Sequence, residues 1–336
     1  MDADNRSSDR NLNIQGDVDK SIIILGDGNT VQCVNVLSTI NLPPSNPVVS
    51  HSMSKDEYRW RQLLINKVRH YWIEGVLEKS LHNQSLIELG LSECNTAITS
   101  LLNGVEEFSD EAQMFPEGTQ AADIFDSLGT GRTLLVLGDP GAGKTTMLLK
   151  LAQGLLDRID DDLSQPIPVI LNLSSWAKKR QPIADWLVQS IYETFQIRRS
   201  VGKAWLSQEQ LVLCLDGLDE VKAEHRNDCV NALNQFIQRH GRTEIVVCSR
   251  LKDYESISEK LRLQSAIYVQ PLTSKQVDLY LEQVGETLRA LRSVLNHSAA
   301  LKAFASSPLI LSMMSLAYQG CSVDDIKQNG TLEEYR

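Results

Sequence analysis

A three-layer α/β/α sandwich on a parallel sheet, followed by a helical subdomain, is the fold the sequence predicts, and three observations predict it. An apolar run, Leu134-Leu135-Val136-Leu137, leads straight into the glycine-rich turn from Gly138 to Gly143 and then into a helix-forming stretch. Further apolar runs without polar alternation recur between amphipathic stretches, which is how strands buried on both faces read. After Leu272 the pattern turns helical, over 274–284 and again over 299–318. A helical segment and a short β-rich N-terminal element are expected to precede the sheet.

Residues 1–12 are mostly Asp, Asn, Arg and Ser, the composition of a disordered tail. Gly-Asp turns at Gly16-Asp17 and Gly26-Asp27 bracket Ser21-Ile22-Ile23-Ile24 and predict short strands that stack or pair. Such an element is either a self-association or partner-docking piece or a plain hairpin. Three prolines between Leu42 and Pro47 read as an extended spacer, so the boundaries fall at 1–41 and 42–53. Residues 54–119 are expected to be helical: Leu64, Val68, Tyr71 and Trp72 recur at helical spacing, and helical character returns from Leu86 to about Leu102. The Tyr71-Trp72-Ile73 cluster reads as core. From about residue 120, strands at 133–137, 167–173, 211–215 and 244–248 alternate with helices at 144–156, 183–195 and 231–239. These compose a nucleotide-binding domain over 120–271, and helices at 274–284 and 299–318 compose the subdomain 272–336.

The chemistry concentrates after the first of those strands. Gly138-Asp139-Pro140-Gly141-Ala142-Gly143-Lys144-Thr145-Thr146 fills the pattern G-x-x-x-x-G-K-[ST] of a P-loop in full. Glycines let the backbone curl until successive N–H groups point at phosphate oxygens, and the following helix adds its positive end. Lys144 brings a cation to the β- and γ-phosphates, and Thr145 a hydroxyl to Mg²⁺. A dinucleotide site is excluded, since G-x-G-x-x-G starting at Gly141 would need glycine at Thr146.

A second apolar run, Leu211 to Leu215, ends in Asp216 and continues Gly217-Leu218-Asp219-Glu220. A carboxylate at a strand end is how a P-loop fold holds Mg²⁺ from the other side, which assigns the metal to Thr145 and Asp216. Asp219 and Glu220 are left to orient or deprotonate the attacking water. The run Ile245-Val246-Val247-Cys248 delivers Ser249 and Arg250 to the same end of the sheet, where Arg250 is expected to reach the γ-phosphate.

Composition narrows the partners. With 336 residues and a 42% hydrophobic fraction, the chain is large enough for a nucleotide-binding core and an attached unit. A formal net charge of −10 argues against broad binding to nucleic acid or anionic membranes. The six cysteines show no C-x-x-C pair or Cys/His metal spacing, and no signal peptide or membrane-span pattern is present, so a reducing, cytoplasmic setting is expected.

Taken together, Gly138 to Thr146, Leu211 to Glu220 with its second acidic pair, Cys248-Ser249-Arg250, Val269-Gln270-Pro271-Leu272 and Ser307-Pro308-Leu309-Ile310-Leu311 resemble the NACHT NTPases. These belong to the STAND class of signalling ATPases, related to AAA+ proteins and including bacterial NLR-like members. The resemblance covers roughly residues 120–336; a weaker similarity, over Lys67 to Leu81, is to helical stretches that precede such modules. It implies a switch that holds ADP at rest, exchanges it for ATP with Mg²⁺ and forms a homo-oligomer, acting with a separate sensor or effector protein. It further implies that Pro308 packs on the adenine, that Arg250 senses the γ-phosphate, and that the setting is bacterial defence. No winged-helix lid or repeat sensor is found before Arg336, which is expected of a fragment or of a short version that senses through another chain. Two other functions compete. A P-loop small-molecule kinase would use Lys178, Lys179, Arg180, Arg198, Arg199 and Lys203 as a basic lid, although those charges read more simply as a solvated face. A scaffold with purely structural nucleotide would not need the acids at 219 and 220.

Overall fold

The computed structural model describes residues 30–31, 53–79, 87–98 and 113–320. The chain divides into two compact units, 1–61 and 62–336. In the first, β1 (Thr30–Val31) pairs antiparallel with β2 (Met53–Ser54). The expected tail, the remainder of the β-rich element and the proline-rich linker lie outside the described residues. Helix α1 (Lys55–Val68) crosses the division and passes into a ten-residue π-helix, Arg69–Glu78, which buries Ile73 and Leu77.

The second unit is organised by a six-stranded sheet in the order β3-β8-β4-β7-β6-β5. Its strands are β3 (Leu91–Glu93), β4 (Thr133–Gly138), β5 (Ile167–Asn172), β6 (Leu211–Asp216), β7 (Glu244–Arg250) and β8 (Ser265–Val269). Every residue of β4 is buried, as are Ile167 to Leu171 of β5 and Leu211 to Leu215 of β6. This matches the unalternated apolar runs, and the five strands from β8 to β5 are parallel.

Strand order fixes the layers. The crossover from β4 through α3 (Lys144–Asp161) to β5 runs one way along the sheet. The crossovers β5 to β6 through α4 (Ile183–Phe195) and α5 (Arg199–Ser207), and β6 to β7 through α6 (Ala223–Arg239), run the other way, as does β7 to β8 through α7 (Leu251–Glu255). Right-handed connections in opposite directions put α3 on one face and α4 to α7 on the other. Helix α2 (Ala121–Ser127) and the π-helix pack against α3.

Two expectations are corrected. Helical character over 86–102 fails in the described part: Leu91–Glu93 is an edge strand antiparallel to β8, followed by a short 3₁₀ turn, Asn95–Ala97. Leu91 there pairs with Val269, a partner 178 residues away that no local spacing reports. The helix expected over 299–318 is two, α10 (Ala299–Phe304) and α11 (Pro308–Tyr318), because proline takes the first helical position of the second. With α8 (Ser274–Val284) and α9 (Arg289–His297) they enclose a small core of their own around Val277, Tyr280, Leu281, Leu291 and Leu295.

At the amino end of the sheet, Arg132 donates through Nε and Nη2 to both oxygens of Glu244, at 2.7 Å each. A third donation goes to Asp126, and the guanidinium lies 4.5 Å from the centroid of Phe125. Replacing it leaves Glu244, 13% exposed, without its bidentate partner. Arg132→Met should therefore lower unfolding free energy in urea by about 1.5–3 kcal/mol, the worth of hydrogen bonds to a charged group.

Candidate functional site

The strand register assembles the site. Gly138 at the end of β4 is paired with Arg250 at the end of β7, and Asn172 at the end of β5 with Asp216 at the end of β6. All four therefore emerge at the carboxyl edge of the sheet, where open α/β sheets bind ligands. From Gly138 the chain turns through Asp139 and Pro140, both exposed, and Ala142, buried, with Gly141 at φ +75° and Gly143 at φ +92°. Those values exclude side chains from both positions.

Lys144 opens α3 and folds its ammonium across the turn, donating to the carbonyls of Gly138 at 3.0 Å and Asp139 at 2.9 Å. Burial pulls its pKa below the usual lysine value, against an opposing pull from Asp219. The Thr145 hydroxyl donates to Asp216 Oδ2 at 2.7 Å, and the Gly217 N–H donates to Oδ1 at 2.9 Å. Thr146 follows in the first turn of α3. Burial pushes the Asp216 carboxyl above the usual carboxylate range, against the hydrogen bond from Thr145. A hydroxyl and a carboxylate in contact are an all-oxygen pair that suits a hard cation, whose other positions go to phosphate and water. Among the described residues, no group of three or more His, Cys, Asp or Glu offers a rival metal site.

The remaining acids have separate surroundings. Asp219, its side chain 8% exposed, accepts from the Arg250 backbone N–H at 3.1 Å and lies 2.8 Å from Arg250 Nε. Glu220 is exposed and accepts from Asn172 Nδ2 at 2.7 Å. The Ser174 N–H donates to Asn172 Oδ1, which fixes which way that amide points. Arg226, from α6, binds the acidic turn as a unit: it donates to the carbonyls of Asp219 and Val221 and to Asp253 Oδ1 beyond Arg250.

Pro308 is brought to the cradle as well. The N–H of its neighbour Leu309 donates to the Gly141 carbonyl at 3.2 Å, and a Cβ at Gly141 would lie 2.9 Å from both Leu309 Cβ and Ser307 Oγ. Leu89 Cδ1 would lie 3.1 Å from a Cβ at Gly143, and Tyr268 donates from its hydroxyl to Asp139 at 3.1 Å. The structure thus brings Lys144, Thr145, Asp216, Asp219, Glu220 and Arg250 to one sheet edge, with Pro308 against the turn. Asn172, Arg226, Tyr268 and Leu89 join them, unforeseen from sequence. Of these only Asn172 carried a signal, as a polar residue closing an apolar strand. The basic residues of 178–203 stand elsewhere: Lys179, Arg180, Arg199 and Lys203 line grooves beside α4 and α6.

Residues 132–287 match the family model of the NACHT domain, a P-loop NTPase module. No curated protein matches the chain. Among solved structures, the Aeropyrum pernix ORC1 protein in complex with DNA aligns at 14% identity and a TM-score of 0.40, over 59% of this chain and 55% of that one. The PCH-2 protein of C. elegans aligns at 18% identity and a TM-score of 0.27, over 51% and 42%. This chain therefore spans about half the length of each. Among the described residues, no helix is long and apolar enough to cross a membrane.

The raised pKa of Asp216 makes stability depend on pH. A carboxyl titrating higher in the folded than in the unfolded protein favours folding below the unfolded pKa, and that contribution disappears as pH rises through the folded value. At neutral pH the buried charge is thus a cost. Asp216→Asn should raise the melting temperature of EDTA-treated protein at pH 7, with the gain shrinking as the buffer is taken into the carboxylate range. The same change should weaken magnesium-dependent ATP binding by at least on the order of 10–100-fold, the loss that outer-shell partners of metals already cause.

Proposed function

We propose that this chain is a signalling switch worked by nucleotide: a slow ATPase that rests with ADP, exchanges it for ATP with Mg²⁺, and forms a homo-oligomer in the ATP state. The reading is carried by the contact of Thr145 with Asp216 at 2.7 Å, because it joins the phosphate turn to the second acidic strand in one oxygen-lined site. The turn from Gly138 to Gly143 and the ammonium of Lys144 take the phosphates, and Thr145 and Asp216 hold the metal. Mg²⁺ supplies charge neutralisation on the β- and γ-phosphate oxygens when bound. Glu220 acts on the attacking water, with Asn172 steadying one of its oxygens. Asp219 holds Arg250, which refines the expectation that both acids serve the water. A γ-phosphate would compete with Asp219 for the guanidinium and a diphosphate would not, so Arg250 gives the two nucleotides different interaction energies. Pro308, one residue from the amide that holds the Gly141 carbonyl, borders the purine.

Assembly in the cytoplasm, with a separate sensor or effector protein and without membrane or nucleic acid, is the setting this mechanism fits; a role in bacterial defence rests on the resemblance alone. Sedimentation velocity with ADP and with ATP and Mg²⁺, alongside phosphate release, tests the proposal. ATP should drive assembly with slow release, and Lys144→Ala should abolish both and weaken nucleotide binding. A chain that stays monomeric, with phosphoryl transfer stimulated by an added acceptor, would replace this reading with the small-molecule kinase.

A further inference from the structure

The net charge of −10 is unevenly placed along the chain. Residues 80–131 hold nine carboxylates and not one Lys or Arg, whereas residues 173–207 hold six cations against two carboxylates. The described residues on either side of 99–112 lie at one edge of the sheet, and the basic block follows the strand at the other. The acidic block includes β3, and its outermost piece is tied to that edge strand by hydrogen bonds from the Glu93 N–H to the Gln113 carbonyl and from the Phe115 N–H to the Leu91 carbonyl. The basic block follows β5, the strand at the far edge.

At the basic end four of the six cations, Lys179, Arg180, Arg199 and Lys203, line two adjoining grooves, of about 740 and 490 Å³, that share Lys179, Gln181, Ala184 and His240 as walls; in the larger one Arg180 faces Asp228 at 3.9 Å. Ala184, Val188 and Leu206 supply an apolar floor to the smaller one, and three cations, Lys179, Arg199 and Lys203, stand around it against one carboxylate, Asp185, all exposed. Arg199 is held ready: its guanidinium lies 4.2 Å from the centroid of Tyr192, and its Nε donates to Gln189 at 2.9 Å. An apolar floor with a cationic rim fits an acidic peptide that carries an apolar side chain. The acidic block contains one, Glu106-Glu107-Phe108-Ser109-Asp110-Glu111, with carboxylates on both sides of a phenylalanine.

The two do not meet comfortably within one copy. Five inter-strand gaps separate β3 from β5, roughly 24 Å at ~4.8 Å each. The stretch between Ile98 and Gln113 has both ends at the β3 edge, so half of its fourteen residues would have to reach out fully extended and half return. Between copies no such extension is needed.

We propose that copies of this chain associate edge to edge, the acidic segment Glu106 to Glu111 of one seated in the basic groove of the next. Unlike surfaces meet, so the contact is heterologous and propagates into a ring or a filament. The inference rests on the assembly proposed above and names its interface. The larger groove also lies close to the chemistry, since its Trp176 wall belongs to the 3₁₀ turn Leu173–Lys178 that is capped by Asn172, the partner of Glu220.

Charge-neutral variants of the full chain separate the outcomes. Lys179→Gln/Arg199→Gln/Lys203→Gln removes the groove's cations, and Glu106→Gln/Glu107→Gln/Asp110→Asn/Glu111→Gln removes the acids; none belongs to the nucleotide site. With ATP and Mg²⁺, each variant should bind nucleotide as the wild type does yet sediment as a monomer, its association weakened at least tenfold. An equimolar mixture, holding one intact groove and one intact acidic segment, should form 1:1 dimers that grow no further. Wild-type assembly retained in both variants would overturn this interface and leave the switch standing. A wild-type chain monomeric with ADP and with ATP would overturn the assembly itself.

Discussion

The turn between Gly138 and Lys144 constrains everything around it, because its backbone is gripped from two sides. From the sheet it inherits the register that pairs Gly138 with Arg250, and from the helical subdomain it receives the Leu309 amide on the Gly141 carbonyl. The left-handed conformations at Gly141 and Gly143 leave room for these contacts, since a Cβ at Gly141 would collide with Ser307 and Leu309. Phosphates would bind on the inner side of a turn whose outer side is already packed. Leu309 thus shares a backbone hydrogen bond with the turn, and a change on the inside would reach α11 through it, as the proposed switch requires.

The acids beyond the turn differ in their surroundings rather than in residue type. Asp216 is partly buried against Thr145, Asp219 is enclosed by Arg250, and Glu220 is exposed beside Asn172. Arg226 holds the turn that carries the last two, and its reach to Asp253 joins that turn to the segment after Arg250. The acidic turn and the arginine strand are thereby positioned as one piece.

Chemistry set by neighbours in the chain was legible in the sequence. The P-loop, the acidic strand end and Cys248-Ser249-Arg250 each announce themselves within ten residues, and the parallel core follows from apolar runs that need no partner to be recognised. What escaped depends on contacts made across long separations. Strand β3 exists because Leu91 pairs with Val269, and β8 is interrupted by Ser265 and Tyr268, which spoil an apolar run. Helix α9 was missed because its buried positions, Ala290, Leu291, Val294 and Leu295, span little more than one turn. Arg226 looked like any charge on an amphipathic helix, and its role appears only when α6 is laid beside the acidic turn. Leu89 was read as part of a helix, and its place against Gly143 follows from the strand that replaced it.

The most direct test of the coupling is hydrogen exchange at the start of α11, read by mass spectrometry on the full chain with and without saturating ADP or ATP and Mg²⁺. The account predicts that exchange in peptides covering Leu309 to Leu311 changes when nucleotide binds, and by different amounts for the two nucleotides. Tight nucleotide binding with unchanged exchange there would contradict it.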